Sequence, residues 1–198
     1  KSPTRLECMM QDLPWLLDAD ATTSFTLLDA DLFYAPVKNS LADAAKKASA
    51  GNAPACASAA EHALYQFNAR VLALAGADVP TPTPRTIAGV PLRLGPQIVL
   101  TPAFRPSLAT AMRRLRRDVV VSARSSLLLD GHVEIEHLRL DGALRVRAAP
   151  GATIVLRFVS VTNTGHELRE LVGGDAPEVE RLRGYTYVAH ATREIRFD

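Results

Sequence analysis

Few side chains in this sequence stand in patterns that could do chemistry. The five histidines show no pair at metal-ligand spacing, so we interpret them as surface or structural residues; they are His62, His132, His137, His166 and His190. Ser125 and Ser126 have no nucleophile elbow or oxyanion-hole loop near them. The basic run at residues 113–117 lacks an aromatic platform, and we interpret it as a solvated helix face rather than a nucleic-acid site.

Lys38 is the strongest candidate for a functional side chain. It follows Pro36 in the run Tyr34-Ala35-Pro36-Val37-Lys38-Asn39. Proline disfavours helical backbone at the residue before it, so we expect Lys38 to project from a loop. Taken alone, a loop lysine is most often simply solvated, because lysine is rarely buried. A role for Lys38 therefore needs a further argument.

A second candidate lies near the start, in the run Thr4-Arg5-Leu6-Glu7-Cys8-Met9-Met10-Gln11-Asp12. Written as a strand, this run places Glu7, Met9 and Gln11 on one face and apolar side chains on the other. A polar face with a methionine suits the wall of a site, and Pro14 ends the strand. The alternative is that these three side chains only pack a sheet.

The composition is that of an ordinary globular protein. Of 198 residues, 47% are hydrophobic and 22% charged, which is enough to form a buried core. The net charge of +2 favours neither a nucleic-acid nor a membrane partner, and no apolar run approaches the roughly 20 residues of a membrane span. Cys8 and Cys56 fit reduced thiols in a cytoplasmic protein.

The first 80 residues predict a mixed α/β unit. Residues 24–28 indicate a strand, and residues 43–57 an exposed, alanine-rich stretch. The clearest helix has one apolar stripe at 4-3-4-3 spacing; the stripe is Ala60, Leu64, Phe67, Val71 and Leu74. Ser58 with Glu61 predicts a capping box at its start, and Gly76 its end.

The run Thr81-Pro82-Thr83-Pro84 predicts a stiff, extended linker. We therefore divide the chain into residues 1–80, a linker at 81–106, and a second unit at 107–198. A short helix is expected at residues 107–117, with Leu108, Met112 and Leu115 facing inward.

Residues 119–161 have a β pattern of short apolar pairs separated by turns. Residues 127–135 are echoed by residues 138–146, offset by 11 positions, and each copy contains an Asp-Gly turn. The echo favours stacked coils of a parallel β-helix, and a β-sandwich is the alternative. Further strands are expected at residues 185–188 and 194–197.

Three stretches together resemble the UDP-sugar pyrophosphorylases. They are residues 4–12, residues 34–39, and the run Ser122-Ala123-Arg124-Ser125-Ser126 with its continuation Leu140-Asp141-Gly142-Ala143-Leu144. Their order and approximate spacing match those of the family. The resemblance implies that residues 1–80 close a Rossmann-like nucleotidyltransferase domain and that a β-helix-like domain follows. Because the chain opens at Lys1 without a methionine, we expect it to be a C-terminal fragment.

The resemblance also implies a reaction. UTP and a sugar 1-phosphate give a UDP-sugar and pyrophosphate, reversibly, by in-line attack on the α-phosphorus. Catalysis then depends on positioning and on neutralisation of charge by Mg²⁺, lysine and arginine. Lys38 matches a lysine that looks like a phosphate ligand in related pyrophosphorylases, and a flexible ammonium suits that role.

Glu7, Met9 and Gln11 match a strand that looks like the sugar-pocket wall in the hexosamine relative. Met9 and Gln11 would leave a roomy wall there, which fits a broad sugar range. The family's glycine-rich loop for the UTP phosphates has no counterpart in this sequence. We therefore expect an N-terminal part of the same enzyme to supply that loop and most Mg²⁺ ligands, and we expect this chain alone to be inactive.

Two alternatives remain open from the sequence. One is a narrower pyrophosphorylase, specific for UDP-glucose or UDP-N-acetylhexosamine. The other is a non-catalytic β-helix interaction module whose front half is only a docking surface.

Overall fold

The computed structural model describes residues 9–116, 118–171, 175–190 and 193–197. It is a mixed α/β structure with parallel and antiparallel strands. A 3-10 helix spans Met10–Leu16, and five α-helices follow: α1 (Ala30–Phe33), α2 (Leu41–Ser49), α3 (Ala57–Leu74), α4 (Leu108–Arg114) and α5 (Glu178–Arg183). The strands are β1 (Thr83–Ile87), β2 (Val90–Leu94), β3 (Gln97–Leu100), β4 (Val119–Val121), β5 (Ser126–Asp130), β6 (His132–Ile135), β7 (Leu138–Asp141), β8 (Ala143–Ala148), β9 (Thr153–Leu156), β10 (Val159–Thr162), β11 (His166–Glu170), β12 (Tyr185–Ala189) and β13 (Arg193–Phe197).

The segment before α2 differs most from the sequence-based expectation. The strand interpretation of residues 4–12 is wrong from Met10 onward, where the 3-10 helix begins, and the strand predicted at residues 24–28 is wrong as well. A strand needs a hydrogen-bonded neighbour, and none of the described strands pairs with this segment. Its apolar side chains face solvent, with Trp15 87% and Phe25 92% exposed.

Helix α3 confirms the predicted helix and part of its predicted face, since Val71 is buried and Phe67 packs against the core. Leu64 and Leu74 are more than half exposed, whereas Ser58, His62, Asn68, Val71 and Leu72 are buried. The capping box is also wrong, because the helix begins one residue before Ser58 and its N-cap, Cys56, makes no side-chain cap. The predicted end is confirmed, since Gly76 follows the last turn with a left-handed φ of 92°.

Helix α2 lies in a stretch for which no helix was predicted. Ser40 caps its start, because the hydroxyl accepts a hydrogen bond from the backbone of Asp43 at 3.2 Å. Ala44 on its inner side is fully buried. Most of residues 43–57 are exposed or half-buried, as expected, but the stretch contains a helix that was not predicted and whose Ala44 packs in the core.

The interpretation of residues 81–106 as an extended linker is wrong for residues 83–100. Strands β1 and β2 form an antiparallel hairpin, turned by Ala88 and Gly89, both of which have positive φ. Strand β3 pairs in parallel with β5, so this segment is built into the fold. Whether residues 1–80 and 107–198 are separate domains stays a prediction.

Most of the remaining strands form three parallel sheets, in the orders β10-β7-β4, β13-β8-β5-β3 and β6-β9, whereas β11 and β12 pair with each other antiparallel. From β4 to β10 the chain visits these three sheets in turn and then repeats the same order. The apolar side chains that alternate along the strands fill one common core, to which Val71 and Leu72 of α3 also belong. Strand β13 joins the edge of its sheet beside β8, as the tail predicts.

The 11-residue echo does not mark stacked strands. Leu127 lies opposite Leu144 in the sheet, an offset of 17, and Leu138 lies opposite Val159. The two copies therefore occupy different sheets. What they share is a corner, since Gly131 and Gly142 have positive φ values of 76° and 130° where the chain turns from one strand to the next. The prediction of an Asp-Gly turn in each copy is confirmed.

A dense polar corner explains the run at residues 122–126. The hydroxyl of buried Ser125 donates to the Leu140 carbonyl at 2.9 Å, and Arg124 donates to the Asp141 carboxylate at 2.7 Å. The Ser122 hydroxyl donates to the same carboxylate at 2.6 Å. Ser125 is thus a structural residue, in agreement with the absence of a nucleophile motif.

The substitution Gly142→Ala is expected to lower the free energy of unfolding by about 2–4 kcal/mol, because a Cβ there would overlap the side-chain and backbone oxygens of Asn163. Gly151→Ala is the matched control, since Gly151 also has positive φ but meets nothing within 4 Å. It should cost about 1 kcal/mol. Equal losses for the two variants in urea unfolding would show that the corner is not tightly packed.

Helix α4 contains only the first two residues of the basic run, Arg113 and Arg114, because it ends at Arg114. Ser107 caps the helix, as the predicted start requires, but Leu108 and Met112 are largely exposed and only Leu115 of the predicted inner face is buried. Arg114 donates to the carbonyl oxygens of Ala103, Phe104 and Gly131. Arg116 forms an ion pair with Glu134 at 2.6 Å. Arg114 and Arg116 therefore both have intramolecular hydrogen-bond or ion-pair partners.

Candidate functional site

The loop that carries Lys38 is held against the turn before α3. The backbone N–H groups of Lys38 and Asn39 both donate to the Ala55 carbonyl, at 2.8 and 3.1 Å. The Asn39 side chain donates to the Pro54 carbonyl at 2.7 Å. Ala55 has a φ of 45°, which is strained for alanine and is retained only where the surroundings enforce it. The backbone position of Lys38 is therefore well defined.

The side chain of Lys38 is exposed and lies near an aromatic ring. Its Nζ is 5.9 Å from the ring centroid of Tyr34, within the range of a cation–π contact. The residues between them, 34–38, have neither helical nor strand backbone. The prediction that Lys38 projects from a loop is confirmed.

Tyr34 also lines a groove of about 500 Å³ that runs along α3. This volume is within the range of small-molecule sites, about 300–1,000 Å³. Small side chains of α3, among them Ala59, Ala63 and Ala73, leave the space, and the opposite wall is formed by residues 79–82 and 91–93. Lys38 stands beside Tyr34 at one side of this groove.

Two arginines of the groove add positive charge. Arg70 of α3 and Arg93 of β2 both line it. Arg70 forms an exposed ion pair with Asp29 at 3.7 Å, which restrains it only weakly. Gln66 donates to the Arg93 carbonyl at 3.0 Å and so joins the two walls. Lysine and arginine side chains around a groove of this size can bind the oxygens of a phosphate group.

Sequence reasoning missed Tyr34, Arg70 and Arg93. Tyr34 stands four residues before Lys38, inside the motif that singles out the lysine. The 3.6-residue period of α3 could have placed Arg70 on the same side of the helix as Phe67, which precedes it by three positions, and both residues line the groove. Nothing in the sequence could have paired Arg70 with Arg93, because their proximity depends on how β2 packs against α3.

Of the other predicted site residues, Met9 and Gln11 are not brought to this groove. Both are exposed, and they line neither this groove nor the second cavity, which lies against β3, β5 and β8; the Gln11 amide donates to the Met9 sulfur at 3.1 Å. Glu7 lies outside the described residues. The assignment of these three side chains to a sugar-pocket wall stays a prediction, although the strand that was to carry them is not formed from Met10 onward.

A second polar cluster joins α3 to the C-terminal strands. The Glu61 carboxylate accepts hydrogen bonds from the hydroxyls of Tyr65 at 2.6 Å and Tyr185 at 3.0 Å, and pairs with Arg183 at 3.4 Å. The Tyr185 hydroxyl also lies 3.2 Å from His62. Burial lowers the pKa of His62, although Glu61 acts in the opposite direction, and burial raises the pKa of both tyrosines. The cluster is therefore neutral apart from the Glu61–Arg183 pair, which suits a structural role.

The described residues contain no cluster of three metal-binding side chains. Across the ranges that the structure covers, no three Asp, Glu, His or Cys side chains come together in a way that could hold a metal ion. We therefore assign no chemical step to a metal within this chain. No helix of the described part is long and apolar enough to span a membrane.

Comparison with known proteins identifies the class. No protein-family model matches the chain. Curated UDP-sugar pyrophosphorylases do match it. Those from Oryza sativa subsp. indica and subsp. japonica are each 36% identical to it over 190 residues, and the one from Arabidopsis thaliana is 35% identical over 190 residues. Each of these alignments covers 94% of this chain.

The resemblance inferred from the three sequence stretches is thereby confirmed. The chain is similar along nearly its whole length to nucleotidyltransferases, and among these to the UDP-sugar pyrophosphorylases. It spans about 30% of the length of these relatives.

Proposed function

We propose that the chain is part of a uridylyltransferase that makes UDP-sugars and pyrophosphate, reversibly, from UTP and sugar 1-phosphates. The observation that carries this proposal is the similarity to UDP-sugar pyrophosphorylases over 94% of the chain. The position of Lys38 beside a groove that contains two arginines supports it.

In the proposed reaction a phosphate oxygen of the sugar 1-phosphate attacks the α-phosphorus of UTP. A new P–O bond forms, the bond to the leaving pyrophosphate breaks, and the uridylyl group moves to the sugar phosphate. Negative charge is spread over the phosphate oxygens in the transition state, and a nearby ammonium group lowers the energy of that transition state. Lys38 supplies this charge in our proposal, and Arg70 and Arg93 bind phosphate oxygens of a substrate lying in the groove.

The remaining parts of the active site lie, in this proposal, in the N-terminal part of the same cytoplasmic enzyme. The many exposed apolar side chains before α2 support this, since another part of the protein could bury them. Trp15, Phe25 and Leu27 are each at least 87% exposed. The N-terminal part would cover them and would supply the UTP-binding loop. Most ligands of the Mg²⁺ that we propose as cofactor would come from it as well.

We propose that the two parts of the chain, before residue 80 and after residue 107, have different roles. Parallel pairing in three sheets that the chain visits in a fixed order supports a β-helix-like unit after residue 107. Residues before 80 would complete a Rossmann-like catalytic domain. The chain would then present one wall of the active site on α3 and the Lys38 loop, with the parallel sheets as its support.

A broad sugar range is the finer part of the proposal. We expect the full-length enzyme to use the 1-phosphates of glucose, galactose and a uronic acid with kcat/KM values within about 100-fold of one another, a range equivalent to about 3 kcal/mol. Initial rates of pyrophosphate release from UTP measure this. A single accepted sugar would favour the narrower UDP-glucose or UDP-N-acetylhexosamine enzymes. No release with any sugar 1-phosphate would favour the non-catalytic module.

A further inference from the structure

A second cavity, of about 510 Å³, lies on the outer side of the sheet β13-β8-β5-β3. Its floor is formed by side chains of β3, β5 and β8, and its walls by α3, α5 and the antiparallel strands β11 and β12. It shares no lining residue with the groove beside Lys38. The proposed uridylyl transfer gives it no role.

Three arginines line this cavity: Arg145, Arg147 and Arg183. Arg145 and Arg147 stand two positions apart on β8, so both side chains leave the same face of the sheet. None of the ion pairs formed among the described residues involves either of them. Arg183 is held at the rim by Glu61, 3.4 Å away.

The two carboxylates in the lining are already engaged. Glu61 accepts from two tyrosine hydroxyls and pairs with Arg183. Glu180 accepts a hydrogen bond from the Thr186 hydroxyl at 3.0 Å. A third carboxylate, Glu194 on β13, stands opposite Arg145 in the strand register but is not part of the lining. The cavity therefore keeps positive charge from Arg145 and Arg147.

The neutral part of the lining is polar and incompletely satisfied. The Nδ1 atom of His166 and the hydroxyl of Tyr187 are buried without a hydrogen-bond partner. Burial raises the pKa of Tyr187, and the neighbouring Tyr185 hydroxyl acts in the opposite direction, but that hydroxyl already bonds to Glu61 and His62. Burial, together with Arg145, lowers the pKa of His166. Unsatisfied buried polar groups are uncommon in folded proteins, and a bound ligand or water is one way to satisfy them.

We propose that this cavity binds a small phosphate ester that carries hydroxyl groups. The guanidinium groups of Arg145 and Arg147 would bind the phosphate, for which their planar, multidentate geometry is suited. The volume is larger than a bare phosphate needs and falls in the range of small-molecule sites. Thr186, Gln97 and Ser126 line the remaining space and can exchange hydrogen bonds with hydroxyls.

Isothermal titration of the 198-residue chain with glucose 6-phosphate and with inorganic phosphate tests this proposal. We expect saturable 1:1 binding of glucose 6-phosphate with a Kd of about 1 mM or lower, and at least about tenfold weaker binding of inorganic phosphate. The double variant Arg145→Gln/Arg147→Gln should weaken the ester at least about tenfold, since each lost charged hydrogen bond costs about that much.

Arg139→Gln is the matched control. Arg139 is also exposed and outward on a neighbouring strand, β7, but lines neither cavity. It should leave the Kd unchanged within about twofold. Should the double variant fail to fold by circular dichroism, the single variant Arg147→Gln serves in its place. Absence of saturable binding, equal binding of both probes, or an equal loss in Arg139→Gln would overturn the proposal.

Discussion

Replacing Lys38 with alanine in the full-length enzyme is expected to lower kcat by about 100-fold or more, the usual effect of removing one group that stabilises charge in the transition state. The loop itself is held by backbone hydrogen bonds to Ala55 and by the Asn39 side chain. Because the exposed Lys38 ammonium takes no part in these bonds, the fold and the thermal midpoint should not change. Steady-state rates of pyrophosphate release and a thermal melt measure the two effects.

Lys47→Ala is the control for this experiment. Lys47 is an exposed lysine on the neighbouring helix α2, and it lines neither cavity. Its removal should leave kcat within about twofold of the wild-type value, since surface substitutions away from a site have small effects. Unchanged turnover in Lys38→Ala, or an equal loss in both variants, would remove Lys38 from the reacting centre.

Replacing Glu61 with alanine is expected to lower the free energy of unfolding by about 2–4 kcal/mol. The Glu61 side chain is 21% exposed and serves two tyrosine hydroxyls and Arg183 at once. Its loss leaves the fully buried Tyr185 with only His62 as a hydrogen-bond partner and leaves Arg183 without its ion pair. Urea unfolding followed by circular dichroism measures the change.

Two tyrosine variants provide the comparison for Glu61. Tyr185→Phe removes a hydroxyl with two partners and should cost about 1–2 kcal/mol. Tyr187→Phe removes a buried hydroxyl without a partner and should be neutral or stabilising. If Tyr187→Phe costs as much as Tyr185→Phe, or if Glu61→Ala is tolerated without loss, the cluster does not join α3 to the C-terminal strands as described.

The sequence predicted the position of Lys38 more reliably than the surroundings of the lysine. Pro36 restricts the backbone locally, so a loop could be predicted from neighbouring residues alone. The groove depends on β2 packing against α3, a contact between distant segments. Arg93 therefore gave no sequence signal, although its neighbours in β2 form a regular strand.

The face of α3 could not be predicted from hydrophobic period alone, because that method assumes polar side chains outside. His62 and Asn68 are buried, and each has a partner from a distant segment: the Tyr185 hydroxyl lies 3.2 Å from His62, and the Asn68 amide donates to the Ile98 carbonyl at 3.0 Å. Leu64 and Leu74 face outward instead. Buried polar pairs of this kind depend on tertiary contacts, so the helix was predictable and its orientation was not.

The strands and the Asp-Gly corners of residues 119–161 were predicted correctly, but the spacing between strands that pair with each other was not. Residues separated by 11 positions resemble each other because both copies contain a strand, an Asp-Gly corner and the next strand. Hydrogen-bonded neighbours are instead 17 to 21 positions apart, as in the pairs Leu127–Leu144 and Leu138–Val159, because the chain crosses three sheets before it returns.

The central claim is that the chain serves uridylyl transfer, and one measurement tests it most directly. The full-length enzyme, its Lys38→Ala variant and its Lys47→Ala variant are incubated with UTP and glucose 1-phosphate, and UDP-glucose and pyrophosphate are quantified together. We predict that wild type and Lys47→Ala each form one pyrophosphate for every UDP-glucose, and only when both substrates are present. The variant Lys38→Ala should form both products at least about 100-fold more slowly. Formation of neither product by the wild-type enzyme with any sugar 1-phosphate would contradict the account.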